Sequence, residues 1–530
     1  MVEIDTTSFT VIAPSSQAGD ELPQLVRKAL ALPRGEHDDG LREFAFGHQL
    51  LHQVTYGTVL QRVKRELHGK VAVWLAALTG VRATDFLALT AEHFERAGDA
   101  AQALRFHLRA AQHARDRYAH DTVLQHADQA LALLDQVEAD DAAVLRWDLH
   151  FLRLRCFAYR GRRAEESQVM DALDAASVAV DDGRRAYARL LRAEACPRRG
   201  DAVAMEQLAE EGRVLAERAG HVEHGLRAQF LKSQARLLQG DLAGCEALSR
   251  EGLVAARQRG VPLLVAAFVN QLAMLAAQAG DLPRSLALTQ EAVDATHASG
   301  DRRNEAGMRL NVGAFRHQLG QFEAASADLA QALQVARNAG SAMHVAAVQV
   351  EQAAVALSRG EHDAARGLAQ AGHDSAAAAG ERQQQVAALM VLGDIELAAG
   401  RLQAAQAAYA DAVLQAQAIQ SADQHRARAG LAEVALAVGD LATARAIALE
   451  LGALDEATRE ASEASRRIEW TCHRVHAGAG EHAEAERWLQ HAHAGLMAQV
   501  ARIPDPEMAR CFLERVALNA AIVAARSAPR

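Results

Sequence analysis

Histidine is plentiful in this chain, with 23 copies, and its densest group raises the question of a metal. That group is Cys472, His473, His476, His482, His491 and His493. Cys472 and His476 stand four residues apart, so they share one face of a helix, and His482 opens the next helix. Zinc needs three or four such groups converging in the right tautomers. His491 and His493 project to nearly opposite sides of a helix, and no HExxH or CxxC anchors the set. Surface and interhelix histidines account for the group equally well, so neither a metal nor a cofactor is expected. His37, His362 and His482 each follow Gly-Glu, and for the last two this is a repeat slot described below.

Nucleotide and nucleophile chemistry fare no better. Gly69-Lys70 is followed by Val71 with no glycine at position 64, and Lys232-Ser233 is preceded by Leu231, so no GxxxxGK[ST] phosphate cradle exists. There is no GxSxG and no Cys/His pairing in a recognisable frame. No catalytic residue is assigned, and an enzyme is not expected. Arg62, Lys64, Arg65, His68 and Lys70 form a basic run, but they alternate with Val63, Leu67 and Val71 on an amphipathic helix. A solvated or docking face fits that pattern better than DNA contact. The net charge of −10 argues against a chain-wide nucleic-acid footprint. Five dispersed cysteines (Cys156, Cys196, Cys245, Cys472, Cys511) read as free thiols of a reducing cytoplasm. The N-terminus, with Glu3 and Asp5, lacks a signal pattern. Val261 to Gly280 is uncharged and long enough to span a bilayer, yet it contains Asn270, Gln271 and Gln278 and keeps the repeat phase. It is expected as a buried repeat helix, with no membrane partner.

The elements behind these residues are helices. Aromatics make up only 4% of the chain, and between Arg198 and Ile503 the only prolines are Pro262 and Pro283, each just after a glycine. The first turn of a helix tolerates proline there. Glycines stand at 200, 240, 280, 320, 360 and 400, and a second comb lies halfway, at 220, 260, 300, 340 and 380. Each closes an apolar-periodic stretch, as a left-handed residue closes a helix. The next residue is acidic or polar (Asp201, Asp241, Asp281, Gln321, Glu361) and suits the start of the following helix. The unit is helix, turn, helix, turn over 40 residues, with rods of about 26 Å. Five residues past the first-comb glycine stand Cys245, Ser285, Ala325, Ala365 and Ala405; twelve past it stand Gly212, Gly252, Ala292, Ala332, Gly372 and Ala412. Small residues on one face let helices approach closely. The phase drifts by one residue at Gly439 and Gly480, and Gly98 and Gly161 open the same pattern upstream. No hairpin can bury its face alone, so the hairpins must stack.

Gly-Asp-Leu followed by small residues at those two spacings resembles the tetratricopeptide repeat (TPR), lengthened to 40 residues and lacking its early Trp and terminal Pro. Residues 41–135 carry a second resemblance. Leu41 to Leu50, Gln53 to Tyr56, Arg65 to His68 and Val71 to Leu75 resemble the end of the winged-helix segment of bacterial STAND-type signalling ATPases. In those regulators the ATPase is often fused to class III adenylate cyclase or LuxR-type DNA-binding domains. Ala91 to Asp99 and Ala101 to Leu104 resemble their first TPR hairpin, and Phe512-Leu513 their closing segment. The ATPase motifs are missing, so no functional residue carries over. The resemblance implies an all-α, right-handed superhelical solenoid of about ten hairpins. It implies a signal-sensing or scaffold arm that binds a protein or peptide, with an NTPase or cyclase as the partner to be regulated. The alternative is an orphaned C-terminal part of such a regulator. The expected organisation is a poorly ordered arm over 1–40 with one helix from Glu21 to Leu32, a helical winged-helix remnant lacking its full sheet over 41–82, and the solenoid over 83–530. Projecting the repeat phase onto the concave face selects Arg227, Gln234, Asn270, Met274 and His317 as partner-binding candidates, against the plainer reading of solvated polar residues.

Overall fold

The computed structural model describes residues 2–3, 8–10, 23–36, 42–78, 84–117, 119–137, 141–160, 162–196, 201–455, 458–459 and 465–527. Gly161, Gly200, Glu21, Ala13 to Ser16 and His37 to Gly40 lie outside them. From Gln49 to Ser527 every regular element among the described residues is a helix. The chain divides into two compact units, residues 1–225 and 226–530. The evenly spaced repeat does not announce that division, which falls inside the helix Val222–Leu238.

The N-terminal expectation needs correction. Within 2–46 the structure places four strands: β1 (Val2–Glu3), β2 (Ser8–Thr10), β3 (Ala31–Glu36) and β4 (Arg42–Phe46). They form one antiparallel sheet in the order β1-β2-β4-β3. The helix expected over Glu21–Leu32 is confined to 23–27, and β3 begins at Ala31. Pro33 and Gly35 make this stretch read as loop. An edge strand, however, tolerates a residue with no N–H to donate, and β3 is an edge strand with its register shift at Pro33/Gly35. The alternation in Arg-Glu-Phe-Ala-Phe of β4 was the strand signal to weigh against it. The helices Gln49–Thr58 and Gln61–Ala77 follow, so the stretch 41–82, expected to be helical, opens with a strand.

Along the repeats, sequence dictates structure closely. Every described comb glycine, together with Gly98, Gly439 and Gly480, is left-handed, with φ between 62° and 83°. A Cβ there would cost roughly 1–2 kcal/mol. The following aspartates cap the next helix: Asp201, Asp241, Asp281 and Asp440 each accept from the backbone N–H three residues on, at 2.8 to 3.1 Å. Gln321 and Glu361 make no such bond. Their side chains are one carbon longer than the preferred Asp or Asn, which leaves only the dipole contribution at Glu361. Pro262 and Pro283 occupy the first turns of Pro262–Gln278 and Leu282–Ala298.

Cys245, Ser285, Ala325, Ala365 and Ala405 are fully buried, as are Ala292, Ala332 and Ala412. The core is a series of small clusters shared by adjacent hairpins. One gathers Leu253, Phe268, Val269 and Ala292; another gathers Val350, Ala369, Ala388 and Ile395. Stability in such an array is a sum of nearest-neighbour interfaces.

At Gly252 a Cβ would land on the ring of buried Phe268, whereas at Gly367 it would meet nothing within 4 Å. Gly252→Ala should therefore destabilise the chain by about 1–3 kcal/mol through overpacking. Gly367→Ala, inside the helix His362–Ala379, should stabilise it by roughly 0.5–1 kcal/mol. Urea unfolding followed by circular dichroism reads both, and equal effects would contradict the packing assignment.

Candidate functional site

In unit 226–530, alternate helices form an inner layer. Arg302–Gln318, Ala342–Ser358, Arg382–Ala398, Asp423–Val438 and Ser465–Gly478 each pack against the next in that series. The C-terminal helices then return to the beginning. Leu496, Ile503, Phe512 and Ile522 share one buried cluster with Leu282, Phe315 and Leu319. Arg515 lies over the Phe322 ring at 4.9 Å and binds Glu323 through both nitrogens, at 3.0 and 2.7 Å. The C-terminal helices thus close a circuit of packed helices with Leu282–Ala298 and Arg302–Gln318.

That inner layer carries a charged network. Asp394 accepts from Tyr409 Oη at 2.5 Å, from Arg426 Nη2 at 3.3 Å and from Arg467 Nη1 at 3.1 Å, and it forms a second short bond with Arg467 Nη2. Arg467 stands 73 residues away, two inner helices further on. Burial works to raise the Asp394 pKa, but Arg467, Arg426 and the Tyr409 hydroxyl outweigh it and hold the carboxyl below its usual range. Burial and the neighbouring carboxylate push the Tyr409 phenol well up, so it serves as a donor. The ring fits because the inner helices carry Gly393 and Gly430 beside it, where any Cβ would strike the ring.

Further contacts extend the network. Thr471 donates to Glu433 at 3.0 Å, and Arg474 is paired with the same carboxylate. His317 Nδ1 lies 2.7 Å from Glu351 Oε1 and its Nε2 2.8 Å from Ser358 Oγ. Burial again opposes ionisation of Glu351, and His317 with Arg426 keeps its pKa lowered nevertheless. Arg466 donates to Asn519 Oδ1 at 2.7 Å and to Gln499, both neutral amides, and lies 5.6 Å over Phe512. Burial lowers its pKa. Each carboxylate here has a cationic or hydroxyl partner.

The candidates chosen from sequence fall on this layer unevenly. His317 belongs to the network. Arg227 and Gln234 are half-buried, and Met274 is 45% exposed. Asn270 is half-buried, with its Oδ1 enclosed and no hydrogen-bond partner among the described residues. Counting back from each closing glycine explains the rest. Arg227 stands thirteen residues before Gly240; Arg426 and Arg467 stand thirteen before Gly439 and Gly480. Gln234 and Met274 stand six before Gly240 and Gly280, the slot that Asp394, Glu433 and Arg474 fill before Gly400, Gly439 and Gly480. Most of the charged occupants of these two slots, Asp394, Arg426, Glu433, Arg467 and Arg474, lie in the later repeats.

The other sequence candidates are dispersed. Cys472 is buried against the Ala448 carbonyl, and burial pushes its thiol up to about 12. His473 contacts the Ala485 carbonyl at 2.9 Å, and His476 binds Glu481. His482 and His491 are exposed. Among the described residues no three His, Cys, Asp or Glu side chains come together as a metal site. In the basic run, Lys64 sits over Tyr56 at 4.5 Å, Lys70 pairs with Glu66 at 2.8 Å, and His68 is buried. No helix among the described residues is long and apolar enough to cross a membrane.

No protein-family model matches this chain, and neither does any curated protein. Solved structures with similar folds include a Rap protein complexed with competence and sporulation factor, at 13% identity and a TM-score of 0.46 over 65% of this chain and 98% of that one. The apo form of the quorum sensor NprR from B. thuringiensis is similar at 11% identity and a TM-score of 0.45, over 67% of this chain and 99% of that one. A STAND protein with a tetratricopeptide repeat sensor from Pyrococcus horikoshii is similar at 13% identity and a TM-score of 0.44, over 72% of this chain; this chain spans 55% of its length. By its own architecture, the chain is a TPR-like helical repeat protein.

Asp394→Ala leaves two inward-facing guanidiniums without their shared carboxylate. Unfolding of the full chain in urea at pH 7 should show a loss of about 3–5 kcal/mol. The folded carboxyl has the lower pKa, so its contribution is present above the unfolded value of about 3.9 and is lost as pH falls through the folded value. The gap between wild type and variant should accordingly narrow below about pH 4.

Proposed function

We propose that this chain is a non-catalytic binding scaffold whose inner helical layer in unit 226–530 receives a protein or peptide partner. The slots at thirteen and six residues before the later closing glycines carry the reading. Before Gly400, Gly439 and Gly480 they hold Asp394, Arg426, Glu433, Arg467 and Arg474, whereas before Gly280, Gly320 and Gly360 neither slot is charged. A partial peptide can exchange such preformed pairs for its own backbone and side-chain groups without leaving a charge bare. Met274 and Gln234 occupy the same slot in the earlier repeats and add adaptable contact area. The resemblance of residues 41–135 to signalling ATPases supports a regulatory role in the cytoplasm, with an NTPase or cyclase as the regulated partner.

The full chain should retain such a partner from native lysate. The double variant Gln234→Glu and Met274→Glu should retain about tenfold less, a difference of about 1.4 kcal/mol, at an unchanged melting temperature. Mass spectrometry of the eluate identifies the partner. Equal recovery by the variant would remove the inner layer from the interface, and recovery of no NTPase or cyclase would remove the regulatory role.

A further inference from the structure

Outside the inner layer, the most unusual chemistry lies in unit 1–225, where histidines meet in pairs between helices. His68 of Gln61–Ala77 faces His93 of Leu87–Ala97, Nδ1 to Nδ1, at 2.8 Å. His107 of Ala100–Asp116 faces His126 of His120–Leu134, again Nδ1 to Nδ1, at 3.0 Å. All four rings are buried, His93 and His107 almost completely. The outer nitrogens of two are also engaged: His68 Nε2 with the Tyr56 hydroxyl at 2.8 Å, and His107 Nε2 with Glu95 Oε1 at 2.9 Å.

Each Nδ1–Nδ1 contact has room for one hydrogen. A neutral imidazole carries its proton on one nitrogen and accepts at the other. Ionised Glu95 only accepts, so His107 holds its proton on Nε2, and its bare Nδ1 accepts from His126 Nδ1–H. One added proton is tolerated, because an imidazolium still donates to a neutral partner. Two added protons set N–H against N–H, with like charges, at hydrogen-bond distance. The attraction between the helices then becomes repulsion inside a buried interface.

We infer that the paired histidines make the helices spanning residues 61–134 an acid-released module: the two interhelical bonds hold near neutral pH and part together when both members of each pair are protonated. The surroundings oppose charging at His68 and His126. Lys64 and Arg96 face His68 and oppose its charging, in addition to burial, which is the larger cause of its lowered pKa. Burial and His107 lower the pKa of His126, while Gln129, Glu92 and Glu95 favour its charge. The acidic neighbours only partly offset burial at His126, and His68 has none among its causes, so both rings cost stability as pH falls below the unfolded value. His150, on Ala142–Tyr159, adds acid sensitivity of its own: burial and Arg153 and Arg146 lower its pKa to about 4, against Asp128. A test must therefore compare variants that all retain it. For groups with lowered folded pKa, stability is complete above the unfolded value of about 6.5 and falls as pH drops below it.

The test uses the full chain. Hydrogen–deuterium exchange at pH 7 and pH 5, corrected for intrinsic rates, should show helices 61–77, 87–97, 100–116 and 120–134 losing protection at least tenfold more than helices 342–358 and 382–398. His93→Gln with His126→Gln keeps a side-chain donor for each partner but cannot titrate. It should move the midpoint of the acid transition, followed by circular dichroism, down by about one pH unit. Uniform loss of protection across the chain, or an unmoved midpoint in a folded variant, overturns the inference. Should the double variant not fold at pH 7, the exchange comparison on the unaltered chain decides alone.

Discussion

The whole architecture depends on where helices stop. A glycine in the left-handed region every twenty residues, reinforced in many repeats by an aspartate that caps the next helix, fixes rods of equal length. Equal rods with small residues at fixed depths pack in one register. Buried Cys245, Ser285, Ala325, Ala365 and Ala405 occupy one level of that register, and Gly252, Ala292, Ala332 and Ala412 another. Move a stop by one residue and every later side chain turns by about 100° around its helix. The drift at Gly439 and Gly480 is harmless because the small residues Ala444 and Ala485 keep their distance from the new stops and remain buried.

This register also builds the inner face. A slot that recurs at one distance from every stop faces inward in every repeat, so chemistry can be added there one residue at a time without disturbing the stack. Early repeats fill the six-before slot with Gln234 and Met274, later ones with Asp394, Glu433 and Arg474. Charged occupants need partners once they leave water. Asp394 finds Arg426 and Arg467 in the neighbouring register slot of the next two inner helices. Glu433 finds Arg474 one helix on. Gly393 and Gly430 supply the remaining condition, room for the Tyr409 ring whose hydroxyl completes the Asp394 shell.

What could be read from the sequence follows from range. Helix ends, caps and close approaches are set by residues within one or two turns, and the glycine combs displayed them directly. The inner-face slots follow from the same period, so Arg227, Gln234 and Met274 share theirs with Asp394, Arg426 and Arg467, which the period alone does not single out. Pairing across 73 residues depends on how far the array curls, which no local pattern encodes. The N-terminal sheet was missed for a different reason. Pro33 and Gly35 are loop residues by local rule, and only the place of β3 at the sheet edge makes them acceptable. The paired histidines were hidden too, because His68 and His93 meet across 25 residues in a stretch where the basic run drew attention to charge instead.

Closure changes how the second unit behaves as a material. An open solenoid can fray from either end, since each hairpin is held only by its neighbours. Here the last helices, Pro506–Glu514 and Ala517–Ser527, pack Phe512 and Ile522 against Leu282, Phe315 and Leu319, so the terminal hairpin has a partner nearly two hundred residues upstream. Arg515 locks the seam: its ion pair keeps the Glu323 carboxyl down to about 2 while its guanidinium covers Phe322. Arg466 links this seam to the inner layer, since its guanidinium reaches Asn519 and Gln499 on the closing helices while its neighbour Arg467 holds Asp394.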